Sequence, residues 1–165
     1  MITIHHHPDS TFARRVVMAL IEKDIPHEKV LVDMAAREHR SPAYRALNPY
    51  GRVPTLVDGG FVLCESTAIL DYLEACFPAP ALVPADPQGR ALVAMHMKLC
   101  DLQMARQSGI IIVPKRFLPP ARWNNEAMAL AKAEIEAHLA ILETQLAGRS
   151  YLVADAYSLA DLCYT

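Results

Sequence analysis

No paired cysteines, no surplus of basic residues and no long apolar run occur in this sequence of 165 residues. The four cysteines, Cys64, Cys76, Cys100 and Cys163, form no C-x-x-C pair, and their spacing supports neither a disulfide framework nor a zinc site. Reduced thiols are the simplest reading, which points to a cytoplasmic location. Lysine and arginine number 16 against 18 aspartates and glutamates, for a net charge of -2. The absence of a basic stripe argues against nucleic acid as a partner. The apolar run from Gly109 to Pro114 is far too short to span a membrane. The N-terminus lacks the charged region and apolar stretch of a signal peptide, so no membrane partner is expected. What the chain does have is apolar content, 53% hydrophobic against 21% charged residues, enough to bury a core in one or two domains.

The triplet His5-His6-His7 follows a short β-like run, Ile2-Thr3-Ile4. Consecutive residues on a strand alternate faces, so the three imidazoles cannot converge on one ion, and no metal is expected here.

The first half alternates strand and helix. Met1 to His6 reads as a strand. Ser10 to Lys23 reads as a helix with Phe12, Val16 and Leu20 on one face, its start capped by Ser10 or Thr11. His27 to Val32 is a second strand. Ser41-Pro42 opens a short helix, where proline suits the first turn. Val53 to Val57 and Phe61 to Leu63 flank Asp58-Gly59-Gly60, a hairpin signal. Glu65 to Cys76 is the next helix, with Ile69, Leu70, Leu73 and Phe77 as its apolar stripe. The order βαβ then αββα predicts a small mixed sheet with helices on both faces.

Residues 78–87 contain four prolines and read as an interdomain linker. Beyond it the pattern is helical. One helix is expected from Gln88 to about Ile112. A second runs from Asn125 to Leu146, with Leu130, Ile135, Leu139, Leu142 and Leu146 on one face and Gly148 as a stop. Domains are therefore expected at 1–77 and 88–165.

Two segments carry chemistry. In Asn48-Pro49-Tyr50-Gly51-Arg52-Val53-Pro54 a Val-Pro enters a strand, where proline cannot donate to the ladder. A tight turn, with the option of a cis bond, would leave the Val53 backbone free to pair with an extended ligand. An ordinary edge-strand proline is the alternative. In Cys64-Glu65-Ser66-Thr67 a hairpin strand meets a helix start, whose free N–H groups make an anion site. Ser66 can add a hydroxyl and Glu65 can accept from an ammonium. Alternatively, the two residues merely cap the helix.

Together these segments resemble a known pattern. Residues 48–73, NPYGRVPTLVDGGFVLCESTAILDYL, resemble the glutathione-site region of soluble glutathione transferases. HHHPDSTFARRVVMALIEK is similar to the first strand, active-site loop and first helix of phi-class members, and VLVDMAAREHRSPAYRALNP to their second strand and helix. YLVADAYSLADL resembles a helix start in the family's second domain. The resemblance implies an α/β thioredoxin-like N-terminal domain followed by an all-α domain. It implies an enzyme that conjugates the glutathione thiolate to small electrophiles, or reduces peroxides with it, and that works as a homodimer in detoxification. A non-catalytic binding or interaction module built on the same fold, or an inactive fragment, is the alternative.

The resemblance also implies roles. Ser10 matches the catalytic serine that steadies the thiolate, with Thr11 beside it. His39 and Arg40 match the pair on the glycine carboxylate. Val53, before Pro54, matches the residue whose backbone pairs with the cysteinyl unit. Glu65 and Ser66 match the pair on the γ-glutamyl end. Arg52 stands where the pattern usually has glutamine. Residues 8–15, PDSTFARR, hold no cysteine, so disulfide exchange through a protein thiol at that place is not expected. The acceptor pocket would be lined by Met104, Gln107, Ile111 and Phe117.

Ser158-Leu159-Ala160-Asp161 is a capping box. In the resembled family it opens a long central helix, whereas here the chain stops at Thr165. The expectation is a C-terminally truncated all-α domain, with Tyr157, Leu159 and Leu162 leaving exposed apolar surface.

Overall fold

The computed structural model describes residues 1–164. The chain forms two compact units, Met1–Leu82 and Val83–Tyr164.

In the first unit, β1 (Ile2–His6), α1 (Thr11–Glu22) and β2 (His27–Leu31) precede a 3-10 turn (Glu38–Arg40) and α2 (Pro42–Leu47). Then follow β3 (Thr55–Asp58), β4 (Phe61–Cys64) and α3 (Ser66–Cys76). The sheet order is β2-β1-β3-β4. β1 runs parallel to β2 and antiparallel to β3, and β3 runs antiparallel to β4. This is the expected thioredoxin-like arrangement. Gly59, with φ +59°, turns the β3–β4 hairpin at no steric cost.

The topology has a direct consequence. β1 and β2 end at the same sheet edge, β3 begins there, and β4 ends there. The segments after β1, β2 and β4, and the segment before β3, therefore gather at one edge.

The core of this unit is Ile4, Val16, Leu20, Leu56, Ile69, Leu70 and Leu73, all fully buried, each worth about 1.5–3 kcal/mol. The buried stripe of α1 is Ala13, Val16, Ala19 and Leu20. Phe12, expected on that stripe, is 38% exposed and lies under the Arg15 guanidinium, 4.9 Å from its ring centre. The small alanines, rather than the bulky aromatic, mark the face that packs closely. On α3, Phe77 is half-buried while the other three expected residues are core.

Residues 78–82 belong to the first unit. Buried Lys23 pairs with Glu74 at 2.6 Å and donates to the carbonyls of Phe77 and Pro80, each at 2.7 Å. Glu74 in turn accepts the Leu82 N–H at 3.1 Å. Both charges are thus hydrogen-bonded as well as paired, the condition under which buried ions are tolerated.

The second unit contains α4 (Pro87–Leu99), a π-helical segment (Cys100–Ala105), α5 (Arg106–Phe117), a 3-10 turn (Pro120–Arg122), α6 (Asn125–Leu146) and α7 (Leu159–Cys163). The single helix expected from Gln88 to Ile112 is instead two helices around a π segment, continuing to Phe117. Pro114 sits inside α5, where it has no N–H to donate to the Ile110 carbonyl one turn back. The expected stripe of α6 is also corrected. Leu130 is 62% exposed and Leu139 46%, while Met128, Ala131, His138 and Leu142 are buried. A polar histidine and a small alanine occupy core positions that a search for large apolar residues passes over.

The capping box at Ser158–Asp161 is present. Asp161 accepts from the Ser158 N–H at 2.9 Å and from the Leu152 N–H at 2.8 Å. The apolar surface expected at this end is absent: Leu159 and Leu162 are fully buried, and Tyr157 is half-buried. α7 packs on α4, so the chain covers it. Asp161→Ala should cost about 1–2 kcal/mol through the lost cap, read as a fall of a few degrees in Tm.

His138 accepts from or donates to the Tyr164 hydroxyl at 2.9 Å, and His96 lies buried on α4. Burial lowers the pKa of both imidazoles from 6.5. The folded state then binds fewer protons than the unfolded one. Stability is full above about pH 6.5 and is lost as pH falls through the lowered values. Thermal unfolding should show Tm dropping between about pH 7.5 and pH 5.5, with a smaller drop in His138→Gln.

Candidate functional site at the sheet edge

The expected glutathione-site residues fall on the shared edge. Ser10 and Thr11 follow β1, and His39 and Arg40 follow β2. Arg52, Val53 and Pro54 precede β3, and Glu65 and Ser66 follow β4. Thr55 is paired with Cys64, so the segment before β3 and the segment after β4 leave the hairpin side by side.

Strand β3 begins two residues later than the sequence suggests, at Thr55. The reason is a clamp that sequence reading missed. The Tyr44 hydroxyl donates to the Arg52 carbonyl at 2.7 Å and sits 2.9 Å from the Thr55 hydroxyl. The Asn48 amide donates to the same two atoms at 2.9 and 3.1 Å. Burial raises the Tyr44 pKa, which keeps this hydroxyl a donor. The clamp sits where the ladder stops, so Val53 and Pro54 lie outside it, and the Val53–Pro54 bond is cis. Among the described residues no hydrogen bond engages the Val53 N–H. The sequence signals for the clamp are the Asn48-Pro49 dipeptide and the single aromatic residue of the short helix before it.

Gly51 closes the same loop with φ +59°. A Cβ there would stand 2.6 Å from the His39 carbonyl oxygen. Only glycine allows the turn after β2 to lie against the loop before β3, which brings His39 to the Val53 segment.

Helix α3 starts without a cap. Glu65, at its N-cap position, makes no side-chain hydrogen bond to the first turn. By contrast α1, α2, α4, α6 and α7 are capped by Ser10, Ser41, Asp86, Asn124 and Ser158. The capping alternative for Glu65 and Ser66 is therefore excluded, and no side chain caps the first-turn N–H groups of α3. Glu65 is also held at φ +71°, ψ 112°, a conformation that costs a non-glycine residue about 1–3 kcal/mol. Ser66 is buried, yet no hydrogen bond among the described residues engages its hydroxyl.

Ser10 caps α1. Its hydroxyl oxygen accepts the Ala13 N–H at 3.2 Å, and its own N–H donates to the His7 carbonyl at 3.0 Å. Thr11 is exposed in the first turn. On the second turn, His39 Nε2 accepts from Arg40 Nε at 3.3 Å. That assigns the proton to His39 Nδ1, which is buried and has no partner. Burial lowers the His39 pKa, reinforced by Arg40, Arg37 and Arg45, so the ring is a neutral donor.

In the helical unit Met104 and Ile111 are half-buried and Gln107 is buried. These three share a stripe, but Phe117 lies on another face and is 69% exposed. The Gln107 amide donates to Glu134 on α6. Cys64 is half-buried rather than core, and all four cysteines are free thiols.

A thioredoxin-like sheet, an unpaired segment before β3, an uncapped α3 and no cysteine at the start of α1 meet in the N-terminal unit. The family model described as glutathione S-transferase, N-terminal domain, matches residues 4–81. Glutathione S-transferase APIC of Nicotiana tabacum is 32% identical across 98% of this chain and 78% of its own length. Among solved structures, a theta-class glutathione S-transferase of the citrus canker pathogen Xanthomonas axonopodis pv. citri, with glutathione bound, superposes with TM-score 0.89. It is 33% identical over 99% of this chain and 78% of that one. Glutathione transferase F2 of Populus trichocarpa gives TM-score 0.88 at 26% identity, over 99% of this chain and 79% of that one. The chain belongs to the glutathione S-transferase family and is a transferase enzyme.

Two outcomes test the geometry. Asn48→Ala should cost about 1–3 kcal/mol, because it removes two hydrogen bonds, those to the Arg52 carbonyl and the Thr55 hydroxyl, measured by urea unfolding. Glu65→Gly should do the opposite, raising stability by about 1 kcal/mol as the strain is released, while ligand affinity falls.

Proposed function

We propose that this enzyme binds glutathione along the sheet edge and transfers its sulfur to small hydrophobic electrophiles, or uses it to reduce peroxides. The observation that carries this is the uncapped start of α3 beside the unused Val53 backbone. Glutathione is an extended tripeptide with a charged group at each end, and the edge offers complementary groups in that order. Glu65 accepts from the γ-glutamyl ammonium, and Ser66 with the α3 amides holds its carboxylate. The Val53 backbone pairs with the cysteinyl unit beside Pro54. His39 and Arg40 meet the glycine carboxylate, with Arg52 in the loop before β3.

Ser10 then faces the sulfur. A hydroxyl whose oxygen accepts the Ala13 N–H keeps its own proton to donate, so capping and catalysis use opposite ends of one group. That proton, with Thr11 and the N-terminus of α1 nearby, favours thiolate over thiol. In conjugation the thiol proton passes to solvent, the thiolate attacks the electrophilic carbon, a C–S bond forms and the leaving group departs with the electron pair. With a hydroperoxide the thiolate attacks oxygen and the O–O bond breaks. A second glutathione then converts the sulfenic acid to disulfide and water. Met104, Gln107, Ile111 and Phe117 are the residues proposed to meet the electrophile. Four free thiols suit a cytoplasmic location, and the family resemblance supports a homodimer in detoxification.

Ser10→Ala tests the assignment. A charge-assisted hydrogen bond to thiolate is worth about 1.5–3 kcal/mol. Turnover of an aromatic halide should fall by about ten- to a hundredfold, and the bound-thiol pKa should rise by about one to two units, with KM for glutathione nearly constant. Thr11→Ala should have the smaller effect. A Ser10→Ala enzyme with unchanged rate and thiol pKa would remove Ser10 from the chemistry.

A further inference from the structure

The glycine end of the site carries more positive charge than glutathione can use. Residues 33–52 contain four arginines, Arg37, Arg40, Arg45 and Arg52, but only two carboxylates, Asp33 and Glu38, in a chain whose net charge is -2. Both carboxylates are turned onto the backbone. Asp33 accepts the Ala36 N–H at 2.8 Å, and Glu38 accepts the Asp33 N–H at 2.7 Å. Among the described residues none of the four guanidinium groups has an ion-pair partner.

Three of them close on His39. Arg40 Nε contacts the ring at 3.3 Å. Arg45 Nε lies 3.7 Å from the place of a Cβ on Gly51, the same point that the His39 carbonyl approaches to 2.6 Å. Arg37, at φ +58°, begins the turn that carries His39, and its charge reaches the same ring. The neutral ring keeps its buried Nδ1 without an acceptor. One glycine carboxylate can satisfy that Nδ1 and one guanidinium in a bidentate fork. It leaves Arg37 and Arg45 unanswered.

We propose that this end of the site is built for a thiol peptide with a second negative charge, a γ-glutamylcysteinyl peptide whose C-terminal residue is itself acidic. This rests on the glutathione-site reading above. The α-carboxylate of such a residue takes the place of the glycine carboxylate at His39 and Arg40, and the side-chain carboxylate answers Arg37 and Arg45. A solvated basic face with no ligand role predicts no preference between peptides, because exposed charges are screened within about 10 Å at 0.1 M salt.

The test compares glutathione with γ-glutamylcysteinylglutamate on the whole chain. KM and kcat are read with an aromatic halide, and dissociation constants of the two S-methyl peptides are read by calorimetry. The expected result is about fivefold tighter binding and lower KM for the acidic peptide at low salt, with kcat alike. The preference should vanish at about 0.5 M salt and in the Arg37→Gln/Arg45→Gln variant, whose glutathione KM should move much less. Circular dichroism confirms that the variant is folded, and Arg37→Lys/Arg45→Lys should retain part of the preference. Equal binding of the two peptides, or a preference that survives in the glutamine variant, overturns the proposal and leaves the glutathione site standing. If neither S-methyl peptide binds, the glutathione-site reading falls, and the proposal falls with it.

Discussion

The proposed glutathione site depends on where β3 begins. If the strand started at Val53, its backbone would be consumed in the ladder and the sheet edge would have nothing to offer an extended ligand. Tyr44 and Asn48 prevent this by fastening the Arg52 carbonyl and the Thr55 hydroxyl. Four hydrogen bonds from one short helix and its end thus decide that two residues stay outside the sheet. Gly51 then lets the turn that carries His39 lie against them. The proposed recognition surface is made by interrupting regular structure at a chosen residue, with the Arg52 carbonyl and the Thr55 hydroxyl hydrogen-bonded on either side of it.

The same logic runs through α3. Helix ends that serve only structure are closed with serine, aspartate or asparagine, as at Ser41, Asp86 and Asn124. The start of α3 is left open, and Glu65 is held in a conformation that glycine would adopt more readily. Local stability is given up at a position where a ligand can return it. Elsewhere the unit is tightly closed, as at the Lys23–Glu74 pair, which uses its remaining hydrogen-bonding capacity on the backbone of residues 77–82. A rigid frame around an unsatisfied edge is the arrangement that preorganised binding calls for.

Much of this was legible in the sequence because it is written locally. The βαβ and αββα order, the Asp58-Gly59-Gly60 turn, the Ser158–Asp161 box and the Gly148 stop each follow from periodicity or turn chemistry within a few residues. What was not legible depends on distance. Nothing near Arg52 shows that Tyr44 will hold its carbonyl, so β3 was read two residues too early. The capped or uncapped state of α3 could not be read from Glu65 and Ser66, whose side chains suit both. On α6, leucines at 130 and 139 suggested a core face, but the packed positions are Ala131 and His138. Leu159 and Leu162 were expected bare because their cover, α4, lies some sixty residues away in sequence. The π segment after Leu99 has no local signature at all.

The most direct measurement is a titration of the isotopically labelled protein with glutathione, followed through backbone amide chemical shifts. The account predicts the largest changes at the amides of Val53, Ser66 and Thr67, with smaller ones at Ser10 and His39, and little change on β2 or at the Lys23–Glu74 end. Shifts centred away from that edge, with the Val53 and Ser66 amides unmoved at saturation, would contradict it.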